Sequence, residues 1–105
     1  MSDRKKSTTG KEMFGDLAPK FATLTDQVLF DDIWERQDLA SRDRSLVTVA
    51  ALISLGRSEQ LSFHLKRALD NGVKKEELVE VITHLAFYSG WPTAVTALGK
   101  LREVL

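Results

Sequence analysis

The sequence predicts an all-α fold: a compact bundle of five to six helices joined by short turns. Three observations carry this. Apolar residues recur at spacings of three and four over most of the chain after Pro19. Gly56, Asn71-Gly72 and Gly90 cut that stretch into segments of helical length. No apolar–polar alternation long enough for a strand occurs, and there is no internal repeat or low-complexity tract.

Residues 1–10, MSDRKKSTTG, are polar and aperiodic, so a flexible N-terminal tail is expected there, followed by one helical domain over residues 11–105. Pro19 suits the first turn of a helix, where its missing N–H costs nothing. Phe21, Leu24 and Val28 then repeat at helical spacing, which predicts a helix from about Pro19 to Phe30. Residues 31–40, with Ile33 and Trp34, read as a short helix or compact connection. Ser41 is a good N-cap, and Asp43 suits the first turn of the next helix. That helix, through Leu55, is apolar almost all round, which predicts burial on every side. Ser58 can cap a fourth segment with its stripe at Leu61, Leu65, Ala68 and Leu69. Gly72 suits the left-handed position that closes it. Leu78, Val81, Ile82 and Leu85 form the stripe of the following helix. Pro92 opens the last, where Val95, Leu98, Leu101 and Leu105 are expected to share one face.

Fifteen basic and fifteen acidic residues cancel, which argues against nucleic acid as a partner. Basic excess is confined to Arg4, Lys5, Lys6 and Lys11 near the start, where a solvated tail is the plain reading. No apolar run is long enough for a membrane span. No apolar segment follows the basic start as a secretory signal would require, so the expected location is the cytoplasm. There is no cysteine, hence no disulfide, thiolate metal site or thiol redox chemistry on these residues.

Three polar rows could carry chemistry: Arg44, Ser45 and Thr48; Arg57, Gln60, His64 and Arg67; and Glu80, His84 and Tyr88. Each has a plainer reading. The arginines can be solvated charges, and His84 can pair with Glu80. Thr48 can bond back to its own helix. Trp34 and Trp91 can be core or interface anchors. Taken as chemistry, a histidine titrates near neutrality and can move a proton, while arginine grips carboxylates with paired hydrogen bonds. His64 with arginines among apolar walls suits a small organic anion undergoing proton transfer. Two histidines twenty residues apart make a poor zinc site, and no nucleotide-binding loop is present, so neither metal nor cofactor is expected.

The pieces DIW, SRDRSLVTVAAL, HLKRALDNGVKKEEL and HLAFYSGWPTA occur in an order and spacing that resemble the carboxymuconolactone decarboxylase family, from about Pro19 to the C-terminus. The resemblance implies an AhpD-like helical fold assembling as a homo-trimer or homo-hexamer, with pockets near subunit contacts. In the alkylhydroperoxidase branch a glutamate precedes a CxxCxxxH element. Those positions fall here at Ser45, Arg57, Gln60 and His64, so only the histidine is retained. Thiol peroxidase activity is therefore not expected. The decarboxylase branch, which also lacks the cysteine pair, is the better resemblance. It implies a cofactor-free lyase acting on a small unsaturated carboxylated lactone or related organic acid, as in aromatic catabolism. His64 would be the proton donor. Arg44, Arg57, His84 and Trp34 would bind substrate. The alternative is a non-enzymatic protein of the same fold that binds a small ligand or serves assembly.

Overall fold

The computed structural model describes residues 5–105, and the first four residues of the expected tail lie outside it. Six α-helices follow in order: α1 (Thr9–Phe14), α2 (Pro19–Thr23), α3 (Ser41–Leu55), α4 (Ser58–Asp70), α5 (Lys75–Ser89) and α6 (Trp91–Val104). A π-helical segment, Leu24–Phe30, continues α2, and a 3-10 turn covers Ile33–Glu35. No strand occurs among the described residues. The all-α expectation holds, and α2 with its π segment spans the helix expected from Pro19 to Phe30. The chain forms two units, one ending at Ala40 and one comprising Ser41–Leu105.

In the first unit the polar start is held by one carboxylate. Asp26, buried within the π segment, accepts hydrogen bonds from the Gly10 amide (2.7 Å), the Lys11 amide (2.9 Å) and the Ser7 hydroxyl (2.7 Å). Asp31, one π turn later, accepts from the Ser7 amide at 2.9 Å. Gly10 leaves no room for a side chain: a methyl there would lie 2.6 Å from the Ala22 carbonyl oxygen. The segment Ser7–Gly10, polar enough to read as part of a tail, thus begins α1 against a charged cap. Burial pushes the Asp26 pKa up, but the bonds from Ser7, Gly10 and Lys11 outweigh it and the net shift is down. Folded Asp26 therefore holds its proton less tightly than the unfolded chain does. Its contribution to stability is complete above pH 3.8 and is lost as pH falls through the lowered folded value. Asp26→Asn should lower the melting temperature by about 5 °C at neutral pH, with a smaller difference from the native chain in strong acid. Thermal denaturation at several pH values measures both.

The second unit is a four-helix assembly in which α3 packs on α4, α5 and α6, and α6 packs on α4 and α5. Its core is Val49, Ile53, Leu61, Leu65, Ala68, Val73, Leu78, Ile82, Ala86, Ala94, Ala97 and Leu101. The turns work as their glycines require. Gly56 and Gly72 have φ of 72° and 97°. The amides that follow them, Arg57 and Val73, bond back to the carbonyls of Leu52 and Ala68, each at 2.9 Å. The sequence offers no obvious cap for α5, but Glu77 reaches back to accept the Lys74 amide at 2.9 Å. Ser58 is the first residue of α4 rather than its cap, a position taken by Arg57 without a side-chain bond.

One expectation for α3 is corrected. Its neighbours lie along a single stripe, so Ser45, Val49 and Ile53 are buried while Val47 and Leu55 face solvent. Being apolar all round did not make it buried all round.

Candidate functional site

The hairpin of α3 and α4 carries three of the candidate residues. Arg44 lies in the first turn of α3, where its carbonyl takes the Thr48 hydroxyl at 2.7 Å. At that same end the Ser45 hydroxyl accepts a 3.0 Å bond from the side-chain Nδ2 of Asn71, just past α4. The two helices are therefore antiparallel, with Arg44 beside the end of α4 and Arg57 at its start. Roughly 20 Å of helix axis separates Arg44 from Arg57, at about 1.5 Å per residue. His64 lies about half-way between them. Both arginines cannot grip one carboxylate of a small molecule within a single protomer, and the cation that acts on His64 is Arg67.

His64 sits beside the buried row Leu61, Leu65 and Ala68 and is itself half-buried. Its ring meets the Phe63 ring edge-on, with centroids 5.0 Å apart. Burial lowers its pKa below the ordinary 6.5, and the nearby charge of Arg67 lowers it further. Arg67 lies one turn along the same face of α4. A neutral imidazole beside a fixed cation can receive an organic anion, whose charge would then favour the protonated ring.

His84 is placed elsewhere. It is exposed on α5 and stacks on Tyr88, with ring centroids 4.8 Å apart. It lines an open groove of about 650 Å³ between α3 and α5, together with Arg42, Leu46, Val47, Ala50, Glu77, Glu80, Val81 and Leu85. Arg44, Arg57 and His64 are not part of that lining. α3 and α5 run parallel, because two ties have the same offset along the chain. Arg42 pairs with Glu77 at one end, and the Ser54 and Ser89 hydroxyls bond at 2.8 Å at the other. Glu77 is held below the usual carboxylate range by the Lys74 amide and then by Arg42. Trp34 is buried in the 3-10 turn of the first unit.

A sequence profile described as the carboxymuconolactone decarboxylase family matches residues 19–103. The chain belongs to that family. A 4-carboxymuconolactone decarboxylase from Acinetobacter baylyi is 37% identical over 93 residues, which is 89% of this chain and 69% of that protein. A nitrosuccinic acid decarboxylase from Metarhizium robertsii is 33% identical over 66 residues, 63% of this chain but only 46% of that protein. Both relatives are decarboxylases by name. This member of the family has no cysteine.

Two residues with visible contacts in this carboxymuconolactone decarboxylase family member were given no part in the expected site, although Arg67 stood in the polar row that holds His64. Arg67 was legible as the cation three positions from His64. Arg42 was not, since its partner Glu77 is 35 positions away and only the packing of α3 on α5 joins them. Among the described residues no group of three or more His, Cys, Asp or Glu could hold a metal ion, and no helix is long and apolar enough to cross a membrane.

Proposed function

We propose that this chain is a cofactor-free carboxy-lyase whose substrate is a small unsaturated carboxylated lactone or a related organic acid. The observation that carries the reading is the extended likeness to a 4-carboxymuconolactone decarboxylase over most of the chain. The site fits the chemistry. Breaking the bond to the departing carboxylate leaves an electron pair that spreads into the unsaturated lactone. Carbon dioxide leaves, and a proton must then reach carbon. His64 is the donor in this reading. Arg67 beside it, and either Arg44 or Arg57 from one end of the hairpin, stabilise the charge that develops on the lactone and hold a remaining carboxylate. Fixed cations aimed at developing charge are often the largest catalytic contribution. His84, exposed in a separate groove, can enter this reading only as a wall supplied by another subunit, and Trp34, buried in the first unit, is given no part.

The test is direct. The purified chain, treated with a chelator, is incubated with 4-carboxymuconolactone while carbon dioxide release and loss of the lactone are followed together. Stoichiometric release above the uncatalysed rate is the expected result. Thermal stabilisation by the lactone with no release would instead favour a protein that only binds the ligand. Neither stabilisation nor release, across a panel of carboxylated lactones and oxo-acids, overturns the proposal.

A further inference from the structure

Helix α4 is sorted into an apolar inner side and a polar outer side, with one exception. Leu61, Leu65 and Ala68 are buried. Among its exposed residues, Glu59, Gln60, Lys66 and Asp70 are polar or charged. The remaining one is Phe63, 47% exposed. A phenylalanine held in water forgoes the stabilisation that burying its ring would bring. The core of the second unit does not include it.

Its position gives the exception a meaning. Phe63 directly precedes His64, and Arg67 lies one turn further along α4, beside both on the helix surface. An aromatic face, a half-buried imidazole and a guanidinium therefore share one patch. Phe63 and Arg67 are about 6 Å apart along the axis, within the span of a small ring that bears a carboxylate. The ring orientation adds a second constraint. The Phe63 and His64 planes stand at 86°, with centroids 5.0 Å apart. The imidazole plane thus runs almost along the perpendicular to the phenyl face. A flat conjugated ring stacked on Phe63 projects its π lobes in that same direction. An N–H bond of His64, which lies in the imidazole plane, can point along those lobes, as proton delivery to a ring carbon requires. A saturated ring is puckered, has no such lobes and makes a poorer stack.

We infer that Phe63 is a specificity-determining residue that stacks on the substrate ring and selects a planar, conjugated lactone acid over its saturated counterpart. The inference rests on the lyase reading for its choice of ligand. Phe63 holds the face of the ring toward His64, while Arg67 takes a carboxylate.

Calorimetric titration tests this with two ligands that lack the departing carboxylate: a butenolide acetic acid and its ring-saturated form. The native chain should bind the unsaturated ligand about two- to tenfold more tightly. Phe63→Leu keeps an apolar side chain but no flat face. It should bind both ligands alike, with a melting temperature near native because the position is exposed. Phe63→Tyr keeps the face and should keep the preference. Carbon dioxide release from 4-carboxymuconolactone is followed with the same preparations. Release together with a preference that survives in Phe63→Leu overturns the role of Phe63 and leaves the lyase reading intact. A preference that depends on Phe63, without release, upholds the stacking site and removes the lyase. Equal binding of both ligands by the native chain, binding of neither, or loss of the preference in Phe63→Tyr overturns the inference.

Discussion

If the proposed reaction holds, His64→Ala should slow decarboxylation by about 10²-fold or more, with a much smaller change in KM, because it would remove the proton donor of the chemical step. Arginine variants should split the other way. Arg44→Ala or Arg57→Ala, whichever holds the remaining carboxylate, should raise KM more than it lowers kcat. The pH profile gives an independent readout. Burial and then the charge of Arg67 hold the His64 pKa below 6.5, so kcat/KM should fall as pH rises through that lowered value. That limb should vanish in the alanine variant. Stability adds a second handle that needs no substrate. Folded His64 binds its proton less readily than unfolded His64, so the native state is favoured fully above pH 6.5 and loses stability as pH falls below it. The alanine variant should lose less stability than the native chain over that interval. Full activity in His64→Ala on an identified substrate would remove His64 from the mechanism.

Leu65→Ala should be among the most damaging conservative changes to the fold, costing about 2–5 kcal/mol. Leu65 is fully buried, on a helix that packs against both α3 and α6. Truncation there loses transfer free energy and leaves a cavity that helices on two sides cannot both close. Leu17→Ala, at one of the most exposed leucines, should change stability by no more than about 0.5 kcal/mol. Urea denaturation measures the contrast: the midpoint should fall sharply for Leu65→Ala at an unchanged slope. A Leu65→Ala midpoint close to native would mean that α4 is not packed as described.

The helices of the second unit were legible because their information is local. Leu61, Leu65 and Ala68, like Leu78 and Ile82, repeat at the period of the helix, and Gly72 marks its stop. The first unit was less legible because its order comes from contacts far apart in sequence. Nothing near Ser7–Gly10 signals structure. The signal is Asp26, a carboxylate sixteen positions beyond Gly10, acting through a π turn that periodicity cannot distinguish from an α turn. The last helix was half legible. Val95, Leu98, Leu101 and Leu105 were expected on one face, but Leu101 turns inward and the others outward. Spacing identifies a stripe without saying which side of a four-helix assembly it meets. The same limit applies to the site. The row of Arg57, His64 and Arg67 follows from helical spacing, whereas the separation of Arg44 from Arg57 follows only from the antiparallel hairpin. The placement of His84 in a different groove follows only from the packing of α5 on α3.

The parallel course of α3 and α5 makes the two ends of the second unit respond differently to ionic strength. At the end where both helices begin, Asp43 and Glu77 flank Arg42, and the tie between helices is an ion pair. At the other end the tie is a pair of serine hydroxyls, on helices whose last turns carry no basic residue. Dissolved salt screens exposed charges over a length of about 8 Å at physiological strength, and over less as salt is added. Rising salt therefore weakens the first tie and leaves the second untouched. The groove between these helices is fastened by charge at one end and by neutral hydrogen bonding at the other, so any loosening by salt begins at Arg42 rather than at Ser54.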